Sequence, residues 1–576
     1  MVQYKILTHD RNYSKYTFTN SFTHSDVTDF NIDAKKFKLF NHDIFTYQDD
    51  KVTILHSTVR ESIIPGVLVL EKNIKMGAYK DRFLYRCIPD DKRLPEFIVP
   101  FKLKKEFSKK YENKYIIFKF KCWFDNAKYP IGLCVNSLGN TNNLDSFYEY
   151  QLYCKSLYAS INQFNKETMK KLRQKSEKEY IQIIKDKYKP EDRTNNWRNG
   201  VKIFSIDPEN SKDFDDAFSI WITNEETKFN VISIYISNVS FWLDTLDLWN
   251  SFSNRISTIY LPDRKRPMLP TILSDALCSL TEGDIRFAMT LDLYVEKNTG
   301  KILLHKFKNT MIKVDKNLRY DTDEMNNYSE YNTLFQHITL MNKKQKYVNN
   351  IKTSHEVVAY LMIIMNYMCA LKLKNNKCGI YRSAKLNSTY QPPSNIDNNI
   401  QQFLKMWHSY GGKYCKYNEL ESHDMLELDA YVHATSPIRR LVDLLVSIEL
   451  QKINNFTPLS DNAYKFYHLW TSDVKLDYIN TTMRSIRKVQ NDCSLLHLCY
   501  TDKTLKEKIF KGHIFDKLIR NDKLFQYMVY LPDINMVNRF TTRFDIDNYC
   551  YKNFKIYIFM DEAKLKQKIR LKLLID

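Results

Sequence analysis

One stretch of this chain limits its fold and chemistry more than any other: residues 201–220, VKIFSIDPENSKDFDDAFSI. Its first residues are apolar and extended in character, and Asp207-Pro208 predicts a turn. Asp213, Asp215 and Asp216 follow before a second strand-like run begins. Four carboxylates at one sheet-edge turn would repel each other. Either a divalent metal binds them, and an all-oxygen ligand set favours Mg²⁺ or Mn²⁺, or the segment is an acidic loop exposed to solvent.

The composition limits the kinds of partner and the cellular compartment that suit this chain. The 576 residues carry a net charge of +20, which suits a polyanionic partner. Richness in Lys, Asn, Ile and Tyr also arises in A+T-rich genomes without selection, so the charge is supporting information only. The 11 cysteines are odd in number and include no CxxC pair. We therefore expect no zinc ribbon or disulfide framework, and a reducing, cytoplasmic location.

The most apolar run of the chain extends from Val357 to Leu373. Asn366 interrupts the run and charged residues flank it. At this length we expect a buried helix of a soluble protein and no membrane span.

The motif DPENSKDFDDA resembles the DPxxAxDxDDA signature of the RNB nucleases, the RNase II, RNase R and Dis3 family of 3′→5′ exoribonucleases. The spacing agrees at every aspartate, and a wider resemblance runs from about Lys80 to Leu450. It implies that Asp207, Asp213 and Asp216 hold Mg²⁺, with Mn²⁺ as a substitute. Asp215 would complete this metal cluster and act catalytically, orienting or activating the attacking water.

A second block, TIYLPDRKRPMLPTILSDALCSLTEGDIRFAMTLDLYV, resembles the family's YLPxxxxPMLPxxLSxxLCSLxxxxxRxA block. In the family the tyrosine of YLP, here Tyr260, lies against the 3′-terminal nucleotide. An aromatic face beside a metal site can hold a base and so place the scissile phosphate. The sequence NLRYD resembles the family's LSYD and makes Tyr320 a second RNA-binding candidate. For tyrosines outside such motifs we expect core packing.

A third block, AYVHATSPIRRLVDLLVSIEL, predicts a helix with Ser436 as N-cap and Pro437 at the first helical position. Arg439 and Arg440 would then lie in the first turn, where cations are unfavourable unless an anion such as a phosphate compensates them. The alternative is an ion pair between Arg439 and Asp443, four residues further on.

This third block also resembles the family's Y-x-x-x-TSPIRRYxD segment. Arg439 matches the catalytic arginine, which would stabilise charge on the pentacoordinate phosphate. Arg440 and Tyr431 are further candidates for binding RNA.

The resemblance implies a multidomain α+β chain. We expect an N-terminal β/OB-like domain over residues 1–78, a cold-shock-like OB domain over 79–155 and a basic helical linker over 156–198. A mixed α/β RNB catalytic domain would follow over 199–505, and an S1-like OB barrel over 506–576. In the cold-shock-like domain Trp123 matches a family motif, and barrel core is the expected position for it, with base stacking as the alternative.

Together these features predict an Mg²⁺-dependent 3′→5′ exoribonuclease that converts single-stranded RNA to nucleoside 5′-monophosphates, working as a monomer without an evident protein partner. The alternatives are a catalytically silent RNA-binding scaffold of the same fold, or another metal-dependent nuclease. The chain departs from the family in two places. The family's HIADVS carries Tyr235 and Asn238 here, and a glutamate pair is replaced by Ala359 and Tyr360.

The basic excess generates a first prediction. If Lys and Arg bind RNA phosphates, affinity for single-stranded RNA must fall steeply between roughly 50 and 200 mM salt, because counterions are released on binding. Fluorescence anisotropy of labelled RNA measures this. A flat dissociation constant over that range would mean that the charge only reflects composition.

Overall fold

The structure is a computed structural model that describes residues 2–27, 32–103, 111–195, 197–198 and 200–574. The chain divides into two compact units. Unit 1 consists of Met1–Tyr158, Leu261–Arg264 and Arg487–Asp576, and unit 2 consists of Ala159–Tyr260 and Lys265–Ile486. Every site residue predicted from the sequence lies in unit 2.

Unit 1 begins with a four-stranded antiparallel sheet in the order β2-β1-β3-β4. Its strands are β1 (Tyr4–Thr8), β2 (Tyr16–Asn20), β3 (Ile44–Gln48) and β4 (Lys51–His56). Ile6, Phe18 and Phe45 belong to the same hydrophobic core as Phe97 and Phe118 of the barrel that follows. Among the described residues this sheet is open and shares its core with the barrel, so the segment predicted as a β/OB-like domain over residues 1–78 begins with a β-sheet that is not a closed barrel.

The second sheet of unit 1 closes into a five-stranded barrel, because β5 pairs with both β9 and β7 in the order β5-β9-β10-β8-β7-β6. Gly66 is required on β5, since a Cβ there would lie 2.9 Å from Cys87 Sγ and from the Phe118 ring. Trp123 stacks on Phe40 in the shared core, with ring centroids 5.4 Å apart, which confirms its expected core position. The elements are α1 (Thr58–Glu61), β5 (Ile64–Leu68), β6 (Ala78–Tyr79), β7 (Arg82–Pro89), β8 (Phe97–Phe101), β9 (Lys114–Cys122) and β10 (Ile131–Asn140). The barrel therefore begins before the boundary predicted at residue 79.

Three helices follow the barrel: α2 (Leu144–Cys154) in unit 1, and α3 (Asn162–Leu172) and α4 (Glu177–Tyr188) in unit 2. Ser176 and Glu179 form a capping box that starts α4. At its other end Tyr188 stacks on Phe241, with centroids 4.0 Å apart, and donates a 2.6 Å hydrogen bond to Asp244 Oδ2. The segment predicted as a linker thus contributes a helix that packs onto residues 241–244 of unit 2.

Unit 2 is built on a seven-stranded mixed sheet in the order β11-β18-β17-β14-β13-β12-β19. The central strands are nearly continuous apolar runs because helices and loops cover both faces. Strand β12 pairs antiparallel with β13 and parallel with β19. The strands are β11 (Glu191–Arg193), β12 (Phe204–Asp207), β13 (Asp216–Trp221), β14 (Phe229–Ser237), β15 (Ile259–Tyr260), β16 (Lys265–Arg266), β17 (Ile285–Glu296), β18 (Ile302–Lys313) and β19 (Lys316–Arg319), with β15 and β16 forming a separate hairpin.

The remaining elements of unit 2 are mostly helical. They are α5 (Val239–Thr245), α6 (Asp323–Asn326), α7 (Ser329–Lys344), α8 (Ser354–Asn375), α9 (Asn398–Trp407), α10 (Leu441–Ile453), α11 (Asp461–Trp470) and α12 (Asp473–Thr501), whose residues from Arg487 onward are counted in unit 1, with a strand pair β20 (Ile380–Ala384) and β21 (Gly412–Lys416). In the described part of the chain, α8 alone is long and apolar enough to cross a membrane, and 61% of its apolar window is buried inside the protein. This burial agrees with the core helix expected there.

The C-terminal part of unit 1 is a five-stranded antiparallel sheet in the order β24-β23-β22-β25-β26. Its strands are β22 (Phe510–Ile519), β23 (Phe525–Leu531), β24 (Met536–Thr542), β25 (Tyr551–Asp561) and β26 (Lys566–Leu573). The edge strands meet where Asn538 Nδ2 donates to the Ile569 carbonyl at 2.8 Å. Asp90 of the barrel forms ion pairs with Lys564 at 3.1 Å and Lys566 at 2.9 Å, so this domain and the barrel share a buried ionic contact.

A buried ion pair ties the edge of the central sheet to its middle. Arg193 of β11 binds Asp292 of β17 through both terminal nitrogens, at 2.9 and 2.7 Å, and neither side chain is exposed. Ser233 donates to the same carboxylate at 2.7 Å. Burial alone would raise the pKa of Asp292, but the bonds and charge of Arg193 hold it below its ordinary value.

This pair generates a stability prediction. Arg193→Met keeps most of the side-chain volume but leaves a buried carboxylate whose remaining ion-pair partner in the described residues is Lys308, at 3.7 Å. Breaking a buried pair in this way costs about 3 kcal/mol or more, and we expect the unfolding temperature to fall by about 6 °C. Differential scanning fluorimetry measures it. Lys316→Met, which breaks the exposed pair with Glu324, is the matched control and should leave that temperature unchanged.

Candidate active site at the end of the central sheet

The four aspartates lie where β12 and β13 meet. Asp207 ends β12 and Asp216 begins β13, while Asp213 and Asp215 lie in the connection between them. The connection is held from inside because Phe214 is buried in the core of unit 2. Its backbone N–H donates to Ser279 Oγ at 2.9 Å, and its carbonyl accepts from Leu280 N at 2.9 Å. Apolar and acidic positions therefore alternate between the core and the site.

Asp215 joins this connection to a distant part of the chain. Its carboxylate, 3% exposed, accepts the backbone N–H of Ile438 on Oδ1 at 2.9 Å and the Nε–H of Arg439 on Oδ2 at 3.0 Å. Burial raises the pKa of Asp215 to about 7, against the opposing effect of Arg439 and of the Ile438 hydrogen bond. Conversely, burial would lower the pKa of Arg439, but the carboxylates, Asp215 first, hold it above its ordinary value.

The segment before α10 is a turn and not the first turn of a helix. The backbone N–H groups of Arg439 and Arg440 both bond the Ser436 carbonyl, and α10 begins only at Leu441. The Arg439 carbonyl accepts from Thr258 N at 3.0 Å. Because these backbone groups are bonded to Asp215 and to residues 256–258, the helix predicted with Ser436 as its N-cap begins four residues later, at Leu441.

The two arginines also take different partners from those considered. Arg439 pairs with Asp215, so the Arg439–Asp443 alternative is wrong. Arg440 Nη2 instead binds Asp443 Oδ1 at 2.8 Å, and Ser436 N donates to the same oxygen at 2.8 Å. A second nitrogen of Arg439 donates to Ser436 Oγ at 2.9 Å, and 41% of the Arg439 side chain is exposed. Arg439 therefore presents further N–H donors to solvent, whereas Arg440 is committed to Asp443.

Asp213 is held by the hairpin β15–β16. Tyr260 donates to its Oδ2 at 2.9 Å and Lys265 donates to its Oδ1 at 2.9 Å. Lys265 also binds Asp275 Oδ1 at 2.9 Å. Burial disfavours the ammonium, but the bonds to Asp275 and Asp213 raise the pKa of Lys265, so it stays charged. Tyr260 is 40% exposed.

Asp207 and Asp216 have no ion pair within hydrogen-bonding distance in the described part of the chain. Asp207 Oδ2 is buried without a hydrogen-bond partner there. Burial raises the pKa of Asp207 to about 6, and the charge of Asp213 adds to this effect. The hydrogen bond from Ser205 and the charge of Arg319 act in the opposite direction. Burial and the charges of Asp207 and Asp215 raise the pKa of Asp216 well above its ordinary value.

A divalent cation fits this pair, because it would supply the positive charge and the partner that the orphaned oxygen of Asp207 lacks. As the side chains stand, no group of three or more His, Cys, Asp or Glu residues in the described ranges converges in metal-binding geometry. The predicted ligand set of four aspartates is therefore not assembled around one point.

Among the other RNA-binding candidates, Tyr320 stacks on His355, with centroids 4.0 Å apart, so one face of its ring is occupied. Tyr431 is 7% exposed, and its hydroxyl accepts from Asn366 Nδ2 at 3.0 Å. A buried ring with a bonded hydroxyl has no face open to a base. This corrects the prediction of an RNA contact at Tyr431, which the motif resemblance alone had supported.

Two cations of the site escaped the sequence analysis. Lys265 lies directly opposite Tyr260 in the antiparallel hairpin β15–β16. Pairing the two short strands around the Leu261–Arg264 turn would have indicated that contact from the sequence. Arg319 lies opposite Asp207 in the parallel pair β12–β19 and acts on its charge. Asp207 and Arg319 lie more than a hundred residues apart in the sequence, so no local pattern indicates their contact.

The departures from the family motif are built into the core. The Tyr235 hydroxyl accepts from Arg193 Nη1 at 3.2 Å. It also shares a 2.9 Å hydrogen bond with Ser219 Oγ. Asn238 Nδ2 donates to Asn309 Oδ1 at 3.2 Å. Tyr360 is buried, and its hydroxyl donates to the Gln345 carbonyl at 3.2 Å. These three residues have structural partners in unit 2.

Comparison with known proteins identifies two domains. Residues 195–328 and 324–455 match the RNB domain, and residues 84–149 match the Dis3-like cold-shock domain 2 (CSD2). The second match overlaps the closed barrel, and the first contains the aspartates and Arg439.

Two curated relatives illustrate the sequence similarity. Ribonuclease R of Ureaplasma parvum serovar 3 is 37% identical over 145 residues, which are 25% of this chain and 19% of that protein. DIS3-like exonuclease 2 of Schizosaccharomyces pombe is 25% identical over 260 residues, 43% of this chain and 26% of that protein. Each match spans less than half the length of the relative.

Solved structures resemble the chain over nearly its whole length. The match to Mycoplasma genitalium RNase R in complex with ribose methylated single-stranded RNA covers 99% of this chain and 100% of the solved chain, at 17% identity and a TM-score of 0.65. The match to yeast Ssd1, described as a pseudonuclease, covers 96% of this chain and 80% of the solved chain, at 13% identity and a TM-score of 0.60. At these identities the likeness establishes the fold.

The site geometry generates a structural prediction. Asp215→Ala removes the acceptor of the Ile438 amide, and a hydrogen bond to a charged group contributes about 1.5–3 kcal/mol. We expect hydrogen exchange of peptides covering 436–441 to accelerate by at least about tenfold, measured by mass spectrometry. Asp213→Ala, whose contacts are Tyr260 and Lys265, is the control. Equal protection in both variants would contradict the assigned contact.

Proposed function

We propose that this chain, which belongs to the RNB family, is a metal-dependent exoribonuclease that hydrolyses single-stranded RNA from the 3′ end and releases nucleoside 5′-monophosphates. One observation carries the proposal: Asp207 and Asp216 form no ion pair in the described part of the chain, and they share the site with Arg439, whose side chain is 41% exposed. In metal-dependent phosphodiester hydrolysis a metal activates the attacking water, and a cationic side chain stabilises charge on the pentacoordinate phosphate.

The substrate class rests on composition and on relatives. The net charge of +20 suits a polyanion, and the M. genitalium relative was solved with single-stranded and with double-stranded RNA. The curated relatives are named as ribonucleases and an exonuclease. The 3′→5′ direction and the 5′-monophosphate products come from the family resemblance. All 11 cysteines are free, which supports a reducing compartment such as the cytoplasm.

The residues take distinct roles in this proposal. Asp207 and Asp216 hold Mg²⁺, or Mn²⁺ as a substitute, and the bound metal supplies Lewis-acid activation of water and phosphate. Arg439 donates from its exposed terminal nitrogens to the phosphate. Asp215 has both oxygens occupied by Arg439 and Ile438, so it is a positioning residue that aims Arg439. This replaces the catalytic role expected for Asp215 from the sequence. Tyr260, which is 40% exposed, contacts the terminal base.

The decisive experiment is incubation of 5′-labelled single-stranded RNA with the full chain and Mg²⁺, beside matched DNA and an EDTA control. We expect a ladder of progressively shortened RNA that EDTA abolishes. An unchanged RNA would favour the silent scaffold, since the pseudonuclease Ssd1 shares the fold. Internal cuts or cleavage of DNA would favour another metallonuclease.

Asp215→Asn tests the role of the arginine. Asn can still accept from Ile438, but its amide would face the Arg439 Nε–H donor to donor. We expect cleavage to slow by at least about 10²-fold, while RNA affinity is retained because one negative charge is removed. Asp247→Asn, an exposed position paired with Lys171, is the matched control. Degradation by Asp215→Asn at the unaltered rate would remove Asp215 and Arg439 from the mechanism.

A further inference from the structure

Lys265 is a cation built into the site between two carboxylates. It stands opposite Tyr260 in the hairpin β15–β16, and its ammonium lies 2.9 Å from both Asp213 Oδ1 and Asp275 Oδ1. The three side chains are only 24%, 9% and 16% exposed, for Lys265, Asp213 and Asp275 respectively. The contact is therefore largely screened from water, and its charges act on each other strongly.

This contact separates the aspartates into two classes. Both oxygens of Asp213 are already bonded, Oδ1 to Lys265 and Oδ2 to Tyr260. Asp207 and Asp216 have neither an ion pair nor, for Asp207 Oδ2, any hydrogen-bond partner in the described chain. A divalent ion on Asp213 would have to displace an ammonium or lie against it, and like charges at such separations repel.

We propose that Lys265 is a positioning residue that withdraws Asp213 from the metal, so that this site takes one divalent cation, on Asp207 and Asp216. Asp213, paired with Lys265, serves instead to fix the hydroxyl of Tyr260 beside the reacting end. The lysine thus supplies the charge that a second metal would otherwise supply. This inference rests on the metal dependence proposed above and deepens it by stating how many ions bind, and where.

The test measures Mn²⁺ binding without RNA, by electron paramagnetic resonance titration of free Mn²⁺ against the full chain. We expect one tightly bound ion in the unaltered protein. In Lys265→Met the freed Asp213 should add a second ion or tighten the first by at least about tenfold. Lys265→Arg keeps a cation between the carboxylates and should behave as the unaltered chain. Lys316→Met, from an exposed ion pair, is the matched control.

A second set of variants keeps the inference testable even if Lys265→Met does not fold. Asp213→Asn should change the Mn²⁺ dissociation constant by less than about threefold, whereas Asp207→Asn and Asp216→Asn should each weaken it by at least about tenfold. Circular dichroism melting curves establish that each variant is folded.

The outcomes separate the two proposals. No Mn²⁺ binding by the unaltered chain would overturn the metal-dependent function itself. One bound ion with an unchanged affinity and count in Lys265→Met would overturn the role of Lys265 alone. Two tightly bound ions in the unaltered chain, or loss of binding in Asp213→Asn, would do the same, because Asp213 would then be a ligand.

Discussion

The site depends on a single buried carboxylate that belongs to two segments at once. Asp215 lies 224 residues from Arg439 in sequence, yet it binds both the guanidinium and the neighbouring backbone N–H. A buried carboxylate is costly unless it is paired and hydrogen-bonded, so the aspartate connection and the 436–440 turn stabilise each other's conformation. This turn also forms backbone hydrogen bonds with residues 256–258, which lead directly into the hairpin that carries Tyr260 and Lys265. One charge thus fixes three loops.

What the sequence predicted well was local. The spacing of the aspartates between two apolar runs predicted a turn between strands, and β12 and β13 are there. The buried apolar helix over residues 357–373 was likewise read from a continuous local pattern. The failures all involve distant partners. Ser436 and Pro437 favour a helix start by local rules, but bonds to Asp215 and to residues 256–258 outweigh a preference of about one kcal/mol.

The same reason explains the errors at single residues. The burial of Tyr431 depends on Asn366 of α8, 65 residues away, and no local pattern encodes that contact. The barrel boundary was misplaced because β5 owes its membership to pairing with β7 and β9. Lys265 is one lysine among many in a basic chain, and only the hairpin register distinguishes it. Motif resemblance identified residue types correctly, while geometry decided which of them face solvent and which are already paired.

The charges of the site can be followed pair by pair. Arg439 balances Asp215, Lys265 is shared between Asp213 and Asp275, and Arg319 acts on Asp207 from the adjacent strand. The remaining negative charge lies on Asp207 and Asp216. A fold shared with both an RNase R and a pseudonuclease says little about activity, because function belongs to sites and not to folds. Asp207 and Asp216 are half-buried and form no ion pair among the described residues, so they would repel each other when both are ionised, and a divalent cation between them would remove that cost. In the proposed function the metal ion would lie on this pair, and the phosphate would lie against the guanidinium of Arg439, whose side chain is 41% exposed.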